Sequence, residues 1–518
     1  MVFILKCLCL AALAFLFASC GGQSPEYLPE GPPPAPIPVI EVFVDRDAQD
    51  EPAFQIRPIT PVYTITLDID PASGKVEGVQ RVFLHNTTGF ALDKVFFNIP
   101  FNAFAEGFTG RPPFFSEFES RIFQHGRFYG GIEIQLASVN MITADFSVEN
   151  TLLTVHLDEL LQPGAEIEIG LVFEAYVPPI SHRTGSNDAA MWFGNFLPTL
   201  VVLDEGIWNV HPYHPAGHPF FTSSANFSVT INTPAEFVVV ATGRSERTQS
   251  NQQGFVSTSV NAPMVRDFAF AVLSLNYYSY RHITTDDGFD IVIYYHRDTG
   301  EVTNLDEILQ TAAAALEYFS NRVDVLPYSV LNIVETELFI NSSLAYPGLI
   351  FVDSRQIRTA GVHQAIVRSV VYQWFYNIVG HNPVTEAWLA HGLVAFLQQG
   401  FNRSDEDISS FAHQLHAILS VNFEAMNYTE LSRNLSYYRN WPEFHNVQRQ
   451  RGQLLFYALW QEMGSEAFDR FLQAYYRHYS FSIATAAGLA RIAEETHGLP
   501  LFSLFDQWIN SQTLPDIN

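Results

Sequence analysis

Residues 360–400 read AGVHQAIVRSVVYQWFYNIVGHNPVTEAWLAHGLVAFLQQG. Apolar residues recur on both sides of a short turn at His381-Asn382-Pro383. This pattern predicts two helices joined by a turn, over about 361–380 and 384–399. We therefore expect a two-helix core here, around which the rest of the chain is arranged.

The region after residue 300 is predicted to be mainly helical. Apolar residues at helical spacing form one stripe from Leu305 to Phe319. Short strands are predicted at 330–334 and 349–352, where apolar runs are brief and bounded by turn residues. Further helices are predicted at about 404–420, 450–463, 465–479, 483–497 and 500–511.

The region from Val62 to about Leu275 is predicted to be rich in β-strands. Tyr63–Ile69 alternates with a period of two and ends at the turn cluster Pro71–Gly74, before a partner strand over 76–84. Similar strands are predicted at 152–157, 167–173, 226–231, 237–241 and 268–273. The fold class is therefore predicted to be α+β, with an antiparallel β-sandwich or saddle domain over 61–276 and a mainly helical domain over 277–518.

Composition supports large folded cores and excludes one class of partner. The chain has 518 residues, of which 47% are hydrophobic and 14% are aromatic, which rules out global disorder. Its formal net charge is -27. An acidic surface of this size repels phosphate backbones, so we expect no nucleic-acid partner.

The N-terminus has the pattern of a bacterial lipoprotein signal. Lys6 precedes an apolar run over Leu8–Phe17, and small residues lead to Cys20. We expect residues 1–20 to be the signal segment, Cys20 to carry the lipid and the chain to be held at a membrane of the bacterial cell envelope. The alternative is an ordinary cleaved signal with a chance cysteine. Residues 21–60 are rich in proline and are predicted to form an extended tether.

Several motifs together resemble the aminopeptidase N family of zinc metallopeptidases, a group of gluzincins. Their order along the chain is Gly206–Pro212, Arg266–Ala269, Ser342–Leu349, Tyr372–Phe375, Trp388–Gly392, Gly464–Phe468 and Phe505–Ile509. The resemblance covers nearly all of the chain after residue 60. It implies a thermolysin-like mixed α/β and helical domain over 277–518, a zinc cofactor and aminopeptidase activity.

The zinc-binding positions of that family hold other residue types here. The family motif His-Glu-x-x-His puts two ligands on one helix face and a general base beside the first. The resemblance places Arg368 and Tyr372 at the two histidine positions and Ser369 at the glutamate position. His391, 19 residues after Tyr372, stands where the third ligand is a glutamate. One histidine cannot hold zinc alone, and the charge of Arg368 opposes a cation.

Two further catalytic positions differ from the family pattern. Ala345 stands where the resemblance implies a glutamate that holds the substrate amine, and Arg449 where it implies a tyrosine that donates to the oxyanion. Loss of any such group typically costs about 10²-fold in rate or more. We therefore expect no bound zinc and no catalysis, and a role in peptide or protein binding or in envelope scaffolding. The alternative is a zinc metallopeptidase with an atypical site.

Three local hypotheses compete with simpler interpretations. One hypothesis is a cationic ligand pocket formed by Arg368, His391 and Arg449. The alternative is that Glu386 or another acidic side chain neutralises Arg368 inside the protein. A relocated metal site is a second hypothesis, and satisfied histidines are its alternative. The third hypothesis is a peptide groove lined by the aromatic stretch Tyr437–Trp441, and its alternative is that these side chains only pack in the core or at its rim. The relocated metal site would use His363, His381, His391 and Glu386.

Overall fold

The computed structural model describes residues 60–517, apart from 205, 219, 250–253, 339–340 and 427–428. These residues lie within one compact unit, Arg57–Asn518. The predicted signal segment, Cys20 and almost all of the proline-rich tether lie outside the described residues. No helix in the described part of the chain is long and apolar enough to cross a membrane.

An eight-stranded sheet is the largest layer of the N-terminal half. Its strands run in the order β16-β17-β14-β1-β2-β8-β4-β5. Along β2, every second residue is buried, because alternate side chains of a strand point to opposite faces. The pairs are antiparallel except β1 with β14, which is parallel. Its strands are β1 Val62–Asp70, β2 Lys75–His85, β4 Gly131–Val139, β5 Ile142–Thr143, β8 Glu166–Tyr176, β14 Ala225–Pro234, β16 Arg244–Gln249 and β17 Phe255–Val265.

Two four-stranded sheets complete a β-sandwich. Their orders are β15-β18-β10-β9 and β11-β3-β7-β6. One buried cluster joins the sheets, with side chains such as Phe97, Phe173 and Phe193 almost fully inaccessible. The strands are β3 Leu92–Asn98, β6 Phe146–Glu149, β7 Leu152–Leu161, β9 Thr184–Ser186, β10 Ala190–Phe193, β11 Thr199–Leu200, β15 Phe237–Ala241 and β18 Phe270–Ser274, and a small hairpin pairs β12 Leu203–Asp204 with β13 Ile207–Trp208.

A five-stranded mixed sheet begins the second half. Its order is β19-β20-β21-β23-β22, with β20, β21 and β23 parallel and β22 antiparallel at one edge. The helix Leu305–Arg322 connects β20 to β21 and buries its predicted apolar stripe. These strands are β19 Tyr278–Thr284, β20 Asp290–His296, β21 Val330–Thr336, β22 Ser343–Tyr346 and β23 Leu349–Asp353, and two short strands, β24 Gly380–His381 and β25 Ile483–Ala484, pair separately.

The remaining chain is mainly helical, and the predicted fold class is confirmed. A large buried cluster packs these helices against one face of the mixed sheet. The boundary between 276 and 277 stays a prediction. The helices are α1 Glu119–Ile122, α2 Arg297–Val302, α3 Leu305–Arg322, α4 Gly361–Tyr372, α5 Trp388–Gly400, α6 Asp405–Met426, α7 Trp441–Phe444, α8 Gly452–Met463, α9 Ser465–Tyr479, α10 Ala486–His497 and α11 Phe502–Asn510, with π-helical turns at Gln373–Ile378 and His445–Arg451.

Helix α5 begins four residues later than the predicted start at 384. The side chain of Asn382 accepts a hydrogen bond from the backbone N–H of Val384 at 3.0 Å. This local turn competes with helix formation, as asparagine side chains commonly do. Residues 380–381 instead pair as a short strand with β25.

Arg266 ties the β-rich half to the end of the first core helix. Arg266 is only 3% exposed. It donates to the carbonyls of Thr222 at 2.6 Å, Tyr376 at 3.1 Å, Ile378 at 3.4 Å and Ser482 at 3.1 Å. One side chain therefore satisfies carbonyls from three separate segments, which fixes the helical segment after α4 against the sandwich.

Replacing Arg266 should destabilise the whole unit. We expect Arg266→Leu to lower the free energy of unfolding by about 3 kcal/mol or more, since it leaves buried carbonyls without a donor. Urea denaturation followed by circular dichroism measures this loss. Arg297→Leu is the matched control, because exposed Arg297 also donates to two carbonyls, at 3.2 and 3.1 Å. Equal losses for the two variants would contradict the assigned role.

Candidate functional site

The two core helices bring three of the predicted site residues together. Arg368 and Tyr372 lie one turn apart on α4, so both side chains leave the same face. His391 lies on α5, and its Nδ1 is hydrogen-bonded to the Tyr372 hydroxyl at 2.8 Å. Ring contact accompanies this bond, with centroids 6.1 Å apart and nearly perpendicular rings.

A close crossing of two helices sets this geometry. A Cβ added to Gly392 on α5 would lie 2.7–2.9 Å from backbone atoms of Gly452 on α8. The two backbones approach this closely only because neither residue has a side chain. The π-helical turn His445–Arg451 runs directly into α8 at Gly452, so the crossing also places Arg449 on the side of α5 that holds His391.

Arg368 is held by hydroxyl groups. Its Nη2 donates to Ser342 Oγ at 2.6 Å and to Ser343 Oγ at 3.0 Å. Among the described residues no carboxylate lies within 4.0 Å of its guanidinium. The hypothesis that Glu386 neutralises it is wrong, because a Glu386 oxygen accepts instead from the backbone N–H of Ala486 at 3.0 Å.

Ser369 and Ala345 are buried beneath this group. Ser369 Oγ is hydrogen-bonded to Ser343 Oγ at 2.8 Å, and its side chain is 1% exposed. A serine hydroxyl does not accept a proton near neutral pH, so Ser369 cannot act as a general base. Ala345 lies on the edge strand β22 and is 5% exposed. Its methyl group offers nothing to a substrate amine.

Arg449 reaches the same region from the π-helical turn His445–Arg451. Its Nη2 donates to Gln398 Oε1 at 3.0 Å. Gln398, on α5, donates in turn to the carbonyl of Gln364 on α4 at 3.0 Å. Arg449 is therefore positioned by neutral amides that link the two core helices. It also has no carboxylate partner within 4.0 Å among the residues that the structure describes.

Two residues of the β-rich half complete the site, and no sequence motif predicts them. The ring of His218 stacks on His391, with centroids 5.7 Å apart. Arg183 is buried, and its Nη1 lies 3.0 Å from Nδ1 of His218. Its Nη2 donates a hydrogen bond to the carbonyl of Gly217 at 2.5 Å. The one available signal was the density of histidines at His211, His214 and His218.

The site combines charged arginines with neutral histidines. Burial, and then the charge of Arg449, lowers the pKa of Arg368 to about 10, so Arg368 stays charged at neutral pH. Burial is also the main reason that the pKa values of His391 and His218 lie well below the usual range, with neighbouring arginines adding to the shift. Burial and Arg449 lower the pKa of His445 to about 4. The histidines are therefore neutral and the arginines carry the charge.

The residues at this position do not fit zinc. Where the resemblance implies the first zinc ligand, Arg368 places a guanidinium, and the Tyr372 hydroxyl is hydrogen-bonded to His391. No group of three or more His, Cys, Asp or Glu side chains suited to a metal occurs in the described part of the chain. A positive charge beside one imidazole opposes a divalent cation.

The relocated metal site is not assembled either. His363 is hydrogen-bonded to Thr311 Oγ1 at 2.7 Å, and Glu386 is engaged with Ala486. His381 is buried, its Nε2 has no partner, and burial lowers its pKa to about 3. The four residues of this hypothesis therefore do not share a site.

The aromatic stretch Tyr437–Trp441 is divided between core and surface. Tyr438 is 1% exposed and packs edge-on against Phe444, with ring centroids 5.6 Å apart. Tyr437 is exposed. Exposed Arg111 donates to the carbonyls of Ser436 and Tyr438. The stretch therefore contributes mainly packing rather than an open groove.

Comparison with known sequences shows which proteins this chain is similar to. Residues 310–508 match the family described as the Peptidase family M1 domain. Aminopeptidase M1-C of Oryza sativa subsp. japonica is 20% identical over 317 residues, which are 57% of this chain and 35% of that protein. Aminopeptidase N of Streptomyces lividans is 18% identical over 55% of this chain and 35% of its own length. This chain thus spans about a third of these relatives.

Solved structures share the fold over most of the chain. The M1 zinc metallopeptidase from Deinococcus radiodurans superposes with a TM-score of 0.65 and 16% identity, covering 88% of this chain and 95% of that chain. A further structure of that enzyme, a mutant bound to a Tyr-Ser-Ala substrate, has a TM-score of 0.64 and 15% identity, with 88% and 95% coverage. The fold is therefore that of a two-domain aminopeptidase N-like protein.

The helix crossing yields a pair of stability predictions with opposite signs. Gly392→Ala places a methyl group against the backbone of Gly452, and we expect it to lower the free energy of unfolding by about 1–3 kcal/mol. Gly400→Ala, in the same helix, meets only Ile408 at 3.6 Å and Arg322 at 4.0 Å. It should be neutral or stabilising by up to about 1 kcal/mol. Urea denaturation distinguishes them, and a neutral Gly392→Ala would contradict the crossing.

Proposed function

We propose that this chain, which carries a peptidase family M1 domain within an aminopeptidase N-like fold, is a non-catalytic homologue that binds a peptide or protein segment in its former active-site cleft. One observation carries the proposal. Arg368 stands at the place of the first zinc ligand and is bonded to two serine hydroxyls, with no carboxylate beside it among the described residues. Such a cleft is suited to recognition and lacks the groups for hydrolysis.

The chemistry of each replaced position supports inactivity. Ser369 offers no base, Ala345 offers no carboxylate for a substrate amine, and Arg449 offers a permanent cation where an uncharged hydroxyl donor is implied. Tyr372 and His391 are hydrogen-bonded to each other. No residue in this set can both accept a proton at neutral pH and activate water, because burial keeps the tyrosine protonated and the only group with basic character is one histidine.

A retained peptide cleft is supported by the fold likeness. The Deinococcus radiodurans mutant was solved with a Tyr-Ser-Ala substrate, and its fold matches this one over 88% of the present chain. In this chain the corresponding core helices are packed as a continuous buried cluster. Core helices packed as in that fold, with arginines among them, favour a role in binding rather than in hydrolysis.

The location of the protein is proposed from the N-terminal sequence. Residues 1–20 have the pattern of a lipoprotein signal with Cys20 as the acylated residue, and residues 21–60 would hold the folded unit away from the membrane. We place the protein at the bacterial cell envelope, anchored to the membrane by lipid. Mass spectrometry of the purified chain tests this, since a lipidated N-terminal Cys20 fits the proposal and an unmodified or differently cleaved N-terminus contradicts it.

Metal content and peptidase activity test the central proposal. The full chain, purified in detergent, should contain far less than one zinc per molecule and release no N-terminal residue from alanyl peptides. The contrary view, a zinc aminopeptidase with an atypical site, draws on the names of its relatives. Stoichiometric zinc together with release of N-terminal amino acids would establish that view and contradict ours.

Restoring the family ligands should restore metal binding, because the helix frame is kept. We expect the combined variant Arg368→His, Ser369→Glu, Tyr372→His and His391→Glu to bind about one zinc per chain, the four-ligand arrangement being completed by water. Elemental analysis after dialysis against zinc measures it, with the native chain as the control and circular dichroism to confirm folding. A folded variant without zinc would show that the frame no longer positions these places for a metal.

A further inference from the structure

A group of six basic side chains, here called the cationic cluster, surrounds the place where the two core helices face the β-rich half. Five separate segments of the chain supply it, so it exists only in the folded protein. The charges of its three arginines meet without compensation among the described residues, although the protein as a whole is acidic, with a formal net charge of -27. The members are Arg183, His218, Arg368, His391, His445 and Arg449.

The cluster contains no internal counter-charge. Each salt bridge between described residues involves other cations, and Glu386, the acidic residue expected to serve, is engaged elsewhere. Burial lowers the pKa of Arg368 and of Arg449, the charge of Arg449 lowers that of Arg368 further, and no carboxylate is among the groups that shift either one. Half-buried guanidinium groups without a carboxylate are costly, because desolvation of the charge is repaid only by a close anion.

The two central arginines also keep donors free. A guanidinium has five N–H groups, but the hydrogen bonds of Arg368 use only its Nη2 and those of Arg449 only its Nη2. Neither residue appears among the fully buried polar atoms that lack a partner in the described chain. Both are partly exposed, as are His218 and His445. Their unused N–H groups can therefore be reached from solvent.

We propose that the cationic cluster is a binding site for a carboxylate, which takes the place that a metal cation occupies in zinc aminopeptidases. The inference rests on the proposed binding role of the cleft and specifies its chemistry. The planar forks of Arg368 and Arg449 suit the two oxygens of a carboxylate. His218 and Arg183 belong to the β-rich half and lie beside His391. A ligand bound to the cluster would therefore contact both halves of the unit.

A carboxylate in this place can come from two sources. One is the C-terminus of a peptide, and the other is an acidic side chain within a longer segment. Both present the same group to the arginines, whereas a free amino group would be repelled. This reverses the polarity of the family site, where a glutamate is implied at the position of Ala345 to hold the substrate amine.

Isothermal titration calorimetry on the full chain in detergent tests the proposal. The probes are trialanine, trialanine amide, an N-acetylated and C-amidated tripeptide with a central aspartate, and inorganic phosphate. We expect trialanine or the aspartyl peptide to bind and trialanine amide not to bind. Preference for trialanine identifies a C-terminal carboxylate, and preference for the aspartyl peptide identifies a side-chain carboxylate. Binding of phosphate alone, or of trialanine amide as tightly as trialanine, would overturn the assignment.

Charge variants localise the site. Arg368→Gln and, separately, Arg449→Gln should weaken binding about tenfold or more, because each loses a charged hydrogen-bonding group. Arg368→Lys should recover only part of the affinity, since it keeps the charge without the planar fork. Arg470→Gln, at an exposed position on α9, is the control for loss of one positive charge and should bind like the native chain. Circular dichroism confirms the fold of each variant, and unchanged affinity in both folded glutamine variants would overturn the site.

Failure of this inference is distinguishable from failure of the proposed function. A zinc-free, inactive chain that gives no heat with any probe contradicts only the carboxylate site. A zinc-containing, active chain contradicts the proposed function itself.

Discussion

The positive charge of Arg368, held between two core helices without a carboxylate partner among the described residues, is the constraint on which the site depends. Its guanidinium is bonded to Ser342 and Ser343, and Arg449 lies close enough to depress its pKa. Because two cations share this space, a third cation is disfavoured and an anion is favoured. The charge thus favours an anion over a cation at this place, within a fold that resembles the M1 zinc metallopeptidase structures.

The frame that holds this charge is stabilised from three directions. The glycine crossing of Gly392 and Gly452 brings α5 against α8, and the buried guanidinium of Arg266 fixes the segment after α4 to the β-sandwich. The Gln398 amide joins α4, α5 and Arg449. These contacts involve backbone atoms, the Gln398 amide and the guanidinium groups of Arg266 and Arg449. None of these contacts requires a bound metal ion.

Much of the fold could be predicted from the sequence, because the relevant patterns are local. Strand 237–241 was predicted with the bounds that the structure gives, and period-two alternation located β1 and β2 within a residue or so. The predicted start of α5 at residue 384 was wrong, because the hydrogen bond that the Asn382 side chain accepts from Val384 forms a turn there in place of a helix. The predicted domain boundary and the lipid at Cys20 stay predictions.

The site was predicted less completely, for a physical reason. Arg368, Tyr372, His391 and Arg449 stand at motif spacings, so their positions could be inferred from a resemblance. His218 reaches the site through a ring contact with Tyr372, more than a hundred residues further along the chain, and Arg183 reaches it through His218. No short sequence pattern reveals such contacts. The partner of Glu386 was missed likewise, because Ala486 lies 100 residues further along the chain.

A crystal structure of the full chain, grown with zinc and trialanine present and measured at the zinc absorption edge, tests the central claim most directly. We predict no anomalous zinc peak between Arg368, Tyr372 and His391, and density for a carboxylate against the guanidinium groups of Arg368 and Arg449. A zinc peak coordinated by His391, with Arg368 displaced from the site, would contradict the account.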